Sequence, residues 1–471
     1  MRCFLCLLAL LCAAPLGAGT LYDLYQPPGA PGPGPRNPAS LWRVWVTGAG
    51  AGSRCADDTD PAMYVRAAPG GSAHANDWVF HIPGGGSGTD PDALLFRWSH
   101  GEHQELSSRW ADESRNPGGI LSGNAANPFR DWNAVFVDKC TMDLFLGRRR
   151  AALTTVAEVP LPGGATVPAG TTYDIWFHGG LIVADAIELL RAGGVTYLDH
   201  TGAPVTMPDL DAAGRILWTG SSGGGQGATL SADRVRSLMP GTAEVLLVAD
   251  ASFFPGAELL YDAQQNGWTM GSLYDGAYGF DAQSQTSSDV HYDTARRHDM
   301  DVWGARRTLD RSCLGRHPWD EWKCFDDVHV LMNHMGLRFF VRQDLNDNNH
   351  LSPCWQVEWR ASEADCYLPG APPQGEAERY ARATQWQFAD LSRLPADNDE
   401  GRAPVAPAGF GPRCGQHVGL TNDDGFFRHG ILDPATSQEV TFAAALSSWV
   451  QGGGATLVEP TRSGAFPAAC Q

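Results

Sequence analysis

The amino-acid sequence predicts an α/β protein, a doubly wound, mostly parallel sheet in a single large domain. Three observations carry this expectation. Short continuous apolar runs such as Val245-Leu246-Leu247-Val248-Ala249 match parallel strands buried on both faces. These runs alternate with segments of helical apolar spacing, the pattern of strand–helix–strand units. No internal repeat is evident, and no composition break divides the chain after Leu41. The 471 residues, 43% hydrophobic and 18% charged, have ordinary globular composition.

Taken in order, residues 1–19 read as a secretory leader. Arg2 supplies a short positive region, Phe4 to Ala14 an apolar run, and Gly17-Ala18-Gly19 a small-residue cleavage site. The run is too short for a permanent membrane span, and an uncleaved anchor is the competing reading. No later stretch reaches about 18 uninterrupted apolar residues, so no stable membrane insertion is expected. Residues 20–40 read as a linker: Gln26 to Ser40 is rich in Pro and Gly, a solvated tether with no core of its own. The folded domain is expected over 41–471.

Within it, Trp78 to Ile82 predicts a strand that leaves into Pro83-Gly84-Gly85-Gly86. Trp132 to Val137 predicts another. Ile182 to Leu190 has helical spacing and stops at Gly193-Gly194. Arg215 to Thr219, Val245 to Ala249 and Leu337 to Arg342 are further strands, and Gln226 to Leu238 a helix. The Pro-rich stretches Pro369 to Gly375 and Ala403 to Pro412 read as loops.

With 34 basic and 53 acidic residues the net charge is −19, which argues against nucleic acid as a partner, since phosphate binding needs a basic face. Of 11 cysteines, Cys3, Cys6 and Cys12 fall in the leader. Cys55, Cys140, Cys313, Cys324, Cys354, Cys366, Cys414 and Cys470 remain, an even set that suits disulfides in an exported protein. Cys313/Cys324 and Cys354/Cys366 are spaced to clip local loops. No C-x-x-C pair with a matching partner favours zinc.

The chemistry concentrates at Gly220-Ser221-Ser222-Gly223-Gly224, between a strand and a helix. Strand, G-x-S-x-G, helix is the pattern of a nucleophile elbow, whose glycines let strand and helix close around a strained serine. This makes the fold α/β-hydrolase-like and Ser222 the candidate nucleophile. A serine hydroxyl needs a base, usually a histidine oriented by a carboxylate, and the chain order is Ser, Asp or Glu, His. Asp347 follows the strand Leu337 to Arg342, and His417 sits beside Cys414. His429 competes for the same role, and spacing alone does not choose among the 14 histidines. The Gly84-Gly85-Gly86 loop offers backbone N–H groups that, with Gly223, suit an oxyanion; a surface turn is the alternative.

Two other features have metal-like patterns. Asp344-Leu345-Asn346-Asp347-Asn348 has D-x-N-x-N calcium-loop spacing, but Asn349 replaces the glycine and Trp355 the bidentate glutamate. Asp289, His291, Asp293, His298, Asp299 and Asp301 form an acidic, His-bearing run, read first as a solvated loop. The catalytic reading needs no metal and no cofactor.

Several segments together resemble the pectin acetylesterase/Notum family of secreted serine hydrolases. Gly220-Ser221-Ser222-Gly223-Gly224-Gly225 stands for the family's G-C-S-A-G-G, and Pro83-Gly84-Gly85-Gly86-Ser87-Gly88 for E-G-G-G-W-C. Gly119-Ile120-Leu121-Ser122, Asn127-Pro128 and Trp132-Asn133 resemble G-I-L-S…N-P…W-N, and Cys140-Thr141-Met142-Asp143 follows. Phe177-His178-Gly179 and Asp250-Ala251-Ser252-Phe253-Phe254 resemble F-x-G and D-A-G-F-F. The resemblance implies catalytic Ser222, Asp347 rather than Asp344, and His417 in C-x-x-H rather than His429. It implies Gly86, Ser87 and Gly223 as oxyanion donors. The chain departs from the pattern at Ser87 for Trp, Gly88 for Cys and Ser221 for Cys, so one typical disulfide is expected to be missing and the pocket wall wider or wetter. Gln283 to Trp322 is poorly matched.

The sequence thus predicts a secreted or periplasmic carboxylic-ester hydrolase. The family cleaves acetyl groups from pectin or a fatty acyl group from a protein, so the implied partner is an ester substrate such as an acetylated polysaccharide. Its rate should fall in acid near the ordinary histidine pKa of about 6.5. Two rivals are a non-catalytic secreted binding protein on the same fold and a calcium-dependent scaffold built on Asp344 to Asn348.

Overall fold

The computed structural model describes residues 19–47, 52–253, 297–347, 407–454 and 456–459, with parts of 381–391. We number the strands of the main sheet β1 Leu41–Trp45, β2 Ala62–Arg66, β3 Asp77–Ile82, β4 Ser114–Arg115, β5 Asn133–Val137, β6 Arg215–Ser221, β7 Glu244–Asp250, β8 Phe339–Arg342, β9 Ala408–Gly411 and β10 Leu457–Val458. Their order in this ten-stranded sheet is β10-β9-β8-β7-β6-β3-β5-β2-β1-β4. From β10 to β5 all neighbours are parallel. Beyond β5 the sheet finishes in the antiparallel strands β2, β1 and β4.

Strand alternation divides the core in two. Trp78, Phe80, Ile216, Trp218, Val245 and Leu247 face one layer, with helices α1 Pro91–Ser99 and α2 Gly179–Arg191 packed there. Val79, Leu217, Leu246, Val248 and Phe340 face the other, covered by Phe442, Leu446 and Trp449 of a helix at Phe442–Val450. The apolar runs are therefore continuous because both faces are buried.

Sequence order reverses around β3. The chain adds β5 on one side of β3, then returns to add β6, β7, β8 and β9 on the other. Such a switch point opens a crevice at the carboxyl ends of the strands.

Three local expectations change. The expected helix over Gln226 to Leu238 is two helices, α3 Gly223–Leu230 and α4 Ala232–Leu238. Between them Ser231 Oγ donates to Gly227 O at 2.6 Å, a back-bond that competes with helix continuation. Within the expected loop Ala403 to Pro412 lies β9. Its glycines hide the strand signal and serve packing: a Cβ on Gly409 or Gly411 would fall 2.6 or 2.8 Å from the Phe388 ring. The linker 20–40 is not a free tether. Gly19–Thr20 pairs with Thr172–Phe177, Leu21 is fully buried, Asp112 accepts from Gly32 N at 2.7 Å, and Arg36 pairs with Glu113. Polyproline-like backbone needs no internal hydrogen bonds, so the sequence carries no signal of this docking.

Disulfides join Cys55 to Cys140 and Cys313 to Cys324. Cys414 is also disulfide-bonded; Cys354, Cys366 and Cys470 lie outside the described residues. Among the described residues no helix is long and apolar enough to cross a membrane.

Candidate active site

β6 ends at Ser221, and the chain enters α3 through Ser222 at φ +55°, ψ −129°. A side chain other than glycine in such a conformation costs about 1–3 kcal/mol and persists only where the surroundings enforce it. Here Ser222 N donates to Asp250 O at 2.8 Å, and Ser222 O accepts from Gln226 N at 3.0 Å. Close approach demands the flanking glycines: a Cβ on Gly220 would lie 2.1 Å from Gly224 O, and one on Gly224 would lie 2.2 Å from Ile82 O. The elbow is thus jammed against the end of β3, with Ser222 only partly buried.

Two later strands bring the partners. Asp347, five residues beyond the end of β8, is fully buried; His417 follows β9 with 14% of its side chain exposed. His417 Nε2 stands 2.7 Å from Ser222 Oγ. His417 Nδ1 stands 2.8 Å from each Asp347 oxygen, and Gln343 Nε2 donates to Asp347 Oδ2 at 2.8 Å. A carboxylate on Nδ1 fixes the tautomer that leaves Nε2 able to accept the serine proton. Burial alone would lower the His417 pKa; the Asp347 charge and hydrogen bond outweigh it, and the net shift is upward.

The Gly loop after β3 is held from behind. Arg97 Nη2 donates to Gly85 O at 3.0 Å, and Lys139 Nζ donates to Gly86 O at 3.0 Å. Both cations are nearly buried and paired, Arg97 with Glu102 and Lys139 with Glu105 at 3.0 Å. A trans peptide points its N–H opposite to its C=O, and no cis bond occurs among the described residues. Fixing the Gly85 and Gly86 carbonyls therefore turns the Gly86 and Ser87 N–H groups the other way. Gly84 sits against Ser222, and a Cβ on Gly223 would fall 3.4 Å from Gly86 N.

Behind the triad lies a charged cluster that sequence reasoning missed. Asp250, at the end of β7, accepts from Ser221 Oγ at 2.8 Å, Leu420 N at 2.9 Å and Arg342 Nη1 at 2.9 Å. Arg342 Nη2 also donates to Asp344 at 2.7 Å. Burial, with Asp347 and Asp250 nearby, pushes Asp344 up to about 8 despite Arg342. In the calcium-like pattern, Asp344 is engaged by Arg342 and Asp347 by His417; Asn348 and Asn349 lie outside the described residues. Asp250 opens the segment that resembles D-A-G-F-F, but nothing local points to its partners Ser221, Arg342 and Leu420.

Of the residues expected from sequence, Ser222, Asp347 and His417 come together, and Gly86 lies beside Gly223. Ser87 is exposed. No hydrogen bond among the described residues joins His429 to Ser222 or Asp347. Gly119-Ile120-Leu121-Ser122 is structural: Gly119 N donates to Asp423 at 2.7 Å and Ile120 N to Leu420 O at 2.8 Å, bracing the loop that follows His417. Asp143 accepts from Thr141, Phe145 N and Gly179 N, shaping a turn whose Leu144 carbonyl abuts Gly227 of α3. Of the acidic run, Asp289, His291 and Asp293 lie outside the described residues, and Asp299 accepts from Thr89 at 2.7 Å.

An elbow, a Gly loop and two late loops meeting at the carboxyl ends of a doubly wound sheet define the α/β-hydrolase-like class. The pectinacetylesterase family profile matches residues 43–458. The chain belongs to that family. It is similar to palmitoleoyl-protein carboxylesterase NOTUM of Drosophila melanogaster, 23% identical over 58% of this chain and 32% of the relative. It is also similar to pectin acetylesterase 11 of Arabidopsis thaliana, 28% identical over 43% of each chain. The matched stretches thus span a third to under half of those relatives' length. The crystal structure of the Wnt deacylase Notum from Drosophila superposes with a TM-score of 0.57 at 20% identity, covering 90% of this chain and 97% of that one.

Proposed function

We propose that this chain is an extracytoplasmic serine carboxylesterase, a deacetylase or deacylase. The observation that carries the reading is the line Asp347–His417–Ser222, with contacts of 2.8 and 2.7 Å ending on a strained, accessible hydroxyl. Ser222 Oγ attacks the ester carbonyl while His417 Nε2 takes its proton, and Asp347 stabilises the imidazolium. The N–H groups of Gly86, Ser87 and Gly223 receive the oxyanion. His417 returns the proton to the departing alcohol, leaving an acyl-serine. Water then attacks that acyl-serine, its proton passing to His417 and back to Ser222 as the acid leaves.

The named relatives act on pectin acetyl esters and on palmitoleoyl-protein. The substrate class proposed here is accordingly an O-acyl ester, on acetylated polysaccharide or acyl-protein. Three disulfide-bonded sites favour an oxidising compartment, secreted or periplasmic, reached through the leader 1–19.

The test is hydrolysis of a nitrophenyl ester series, acetate to palmitate, by the wild type and Ser222→Ala. A rate abolished in the variant supports the reading, and the chain-length preference separates deacetylase from deacylase. Equal rates in the two proteins would overturn it in favour of a binding protein.

A further inference from the structure

A second cluster of chemically capable side chains lies between β7 and β8, within the stretch from Cys313 to His334. Its scaffold is α5 Arg311–Arg316, a 3-10 turn at Glu321–Phe325, and α6 Asp327–Asn333. Asp310 caps α5 by accepting from Cys313 N at 2.8 Å, and Asp326 caps α6 by accepting from His329 N at 3.0 Å. The Cys313–Cys324 disulfide staples α5 to the turn. This scaffold gathers three imidazoles. The ring centroids of His317 and His329 are 5.0 Å apart, those of His317 and His334 5.5 Å, and those of His329 and His334 5.3 Å.

The nitrogens converge as well as the rings. His317 Nε2 faces His329 Nε2 at 3.3 Å. One ligand atom from each of the three histidines lies within 4.8 Å of the others. Two nitrogens on a tetrahedral zinc, each bonded at about 2.0–2.1 Å, stand roughly 3.3 Å apart. Cys313 Sγ borders the group but is held in its disulfide.

The surroundings also prepare His334. Ser312 Oγ donates to Asp310 Oδ1 at 2.7 Å, so its lone pair is what faces His334 Nδ1 at 3.3 Å. Nδ1 of His334 then carries the proton and Nε2 the lone pair, the arrangement that outer-shell partners impose on a metal-ligating histidine. Asn333 Nδ2 stands 3.3 Å from His329 Nδ1. The same Nδ2 donates to His329 O at 3.0 Å, so an ion on Nε2, which leaves the proton on Nδ1, requires this amide to turn away from both groups.

We propose that His317, His329 and His334 form a site for a divalent ion of the zinc type, with the fourth position left to water. Imidazole donors suit this class of ion. The site fastens α5 to α6, and α6 packs on the elbow helix α3, so its role is to stiffen that wall of the domain.

The test is equilibrium dialysis of the full-length, chelator-stripped, disulfide-intact chain against zinc, with cobalt as a spectroscopic probe. The expected result is one ion per chain and a tetrahedral cobalt spectrum without a sulfur charge-transfer band. His317→Gln and His329→Gln should each weaken binding by at least about tenfold, while His429→Gln binds as the wild type does. Binding unchanged in both variants, or no binding to the wild type, overturns the site. A sulfur band overturns the three-histidine ligand set. If the variants fail to fold, zinc protection of these histidines from diethyl pyrocarbonate in the wild type is read instead, and lack of protection counts against the proposal. None of these readouts depends on esterase activity.

Discussion

Arg342 and Asp250 meet at 2.9 Å with neither side chain exposed. The pair links the end of β8 to the end of β7, and Asp250 extends the link to Ser221 and to the amides of Gly419 and Leu420. One carboxylate therefore joins the strand leading into Ser222 to the loop that carries His417. Removing one partner of such a buried pair strands the other charge. We expect Asp250→Ala and Arg342→Met each to lower stability by about 3–5 kcal/mol, read as a lower urea midpoint at an unchanged slope. Ser221→Ala, which removes a single hydrogen bond, should cost only about 1 kcal/mol.

Asp347→Asn keeps the shape of the triad but reverses the preferred tautomer of His417. The expected loss in kcat is about four orders of magnitude, with little change in melting temperature. A loss below tenfold would show that another group orients His417.

The base must be neutral to act. Because the His417 pKa is raised above 6.5, kcat/KM should fall as pH drops through a value above 6.5, higher than the ordinary imidazole range. The sign for stability is opposite: a raised folded-state pKa favours the protonated fold, so this contribution is complete below about 6.5 and is lost as pH rises through the folded value. A pH–rate profile set beside pH-dependent urea melts checks both.

Arg97 and Lys139 hold carbonyls of the Gly loop without touching Ser222. Lys139→Met should reduce kcat by about tenfold to a hundredfold, less than the loss of a full oxyanion donor, and leave KM nearly unchanged. Lys139→Arg should restore part of the rate. A matched change in KM would instead indicate damage to substrate binding.

Much of this was legible in the sequence, for identifiable reasons. β3, β6, β7 and β8 are buried on both faces, so their sequences are mostly apolar. The elbow announces itself because only glycine fits at Gly220 and Gly224. Spacing could not select His417, since a triad is joined in space across 195 residues of chain; the resemblance supplied that choice. β9 was hidden because Gly409 and Gly411 make room for Phe388, a contact no local pattern reveals. Asp250, Arg342 and Lys139 were missed for a related reason. Asp250 and Lys139 find their partners on distant strands and loops, and Arg342 ties Asp250 to the nearby Asp344, so no local pattern reveals their roles.

The grip of Arg97 and Lys139 on the Gly loop has a consequence for how this site can change. A proposed donor set made of peptide bonds, anchored on its far side, does not depend on which side chains the loop displays. Ser87 and Gly88, where the family pattern has Trp and Cys, can therefore be exchanged without rebuilding the machinery beneath them. Recognition of the ester and its chemistry become separable properties, so new specificity can be selected at the loop surface while the reaction below stays the same.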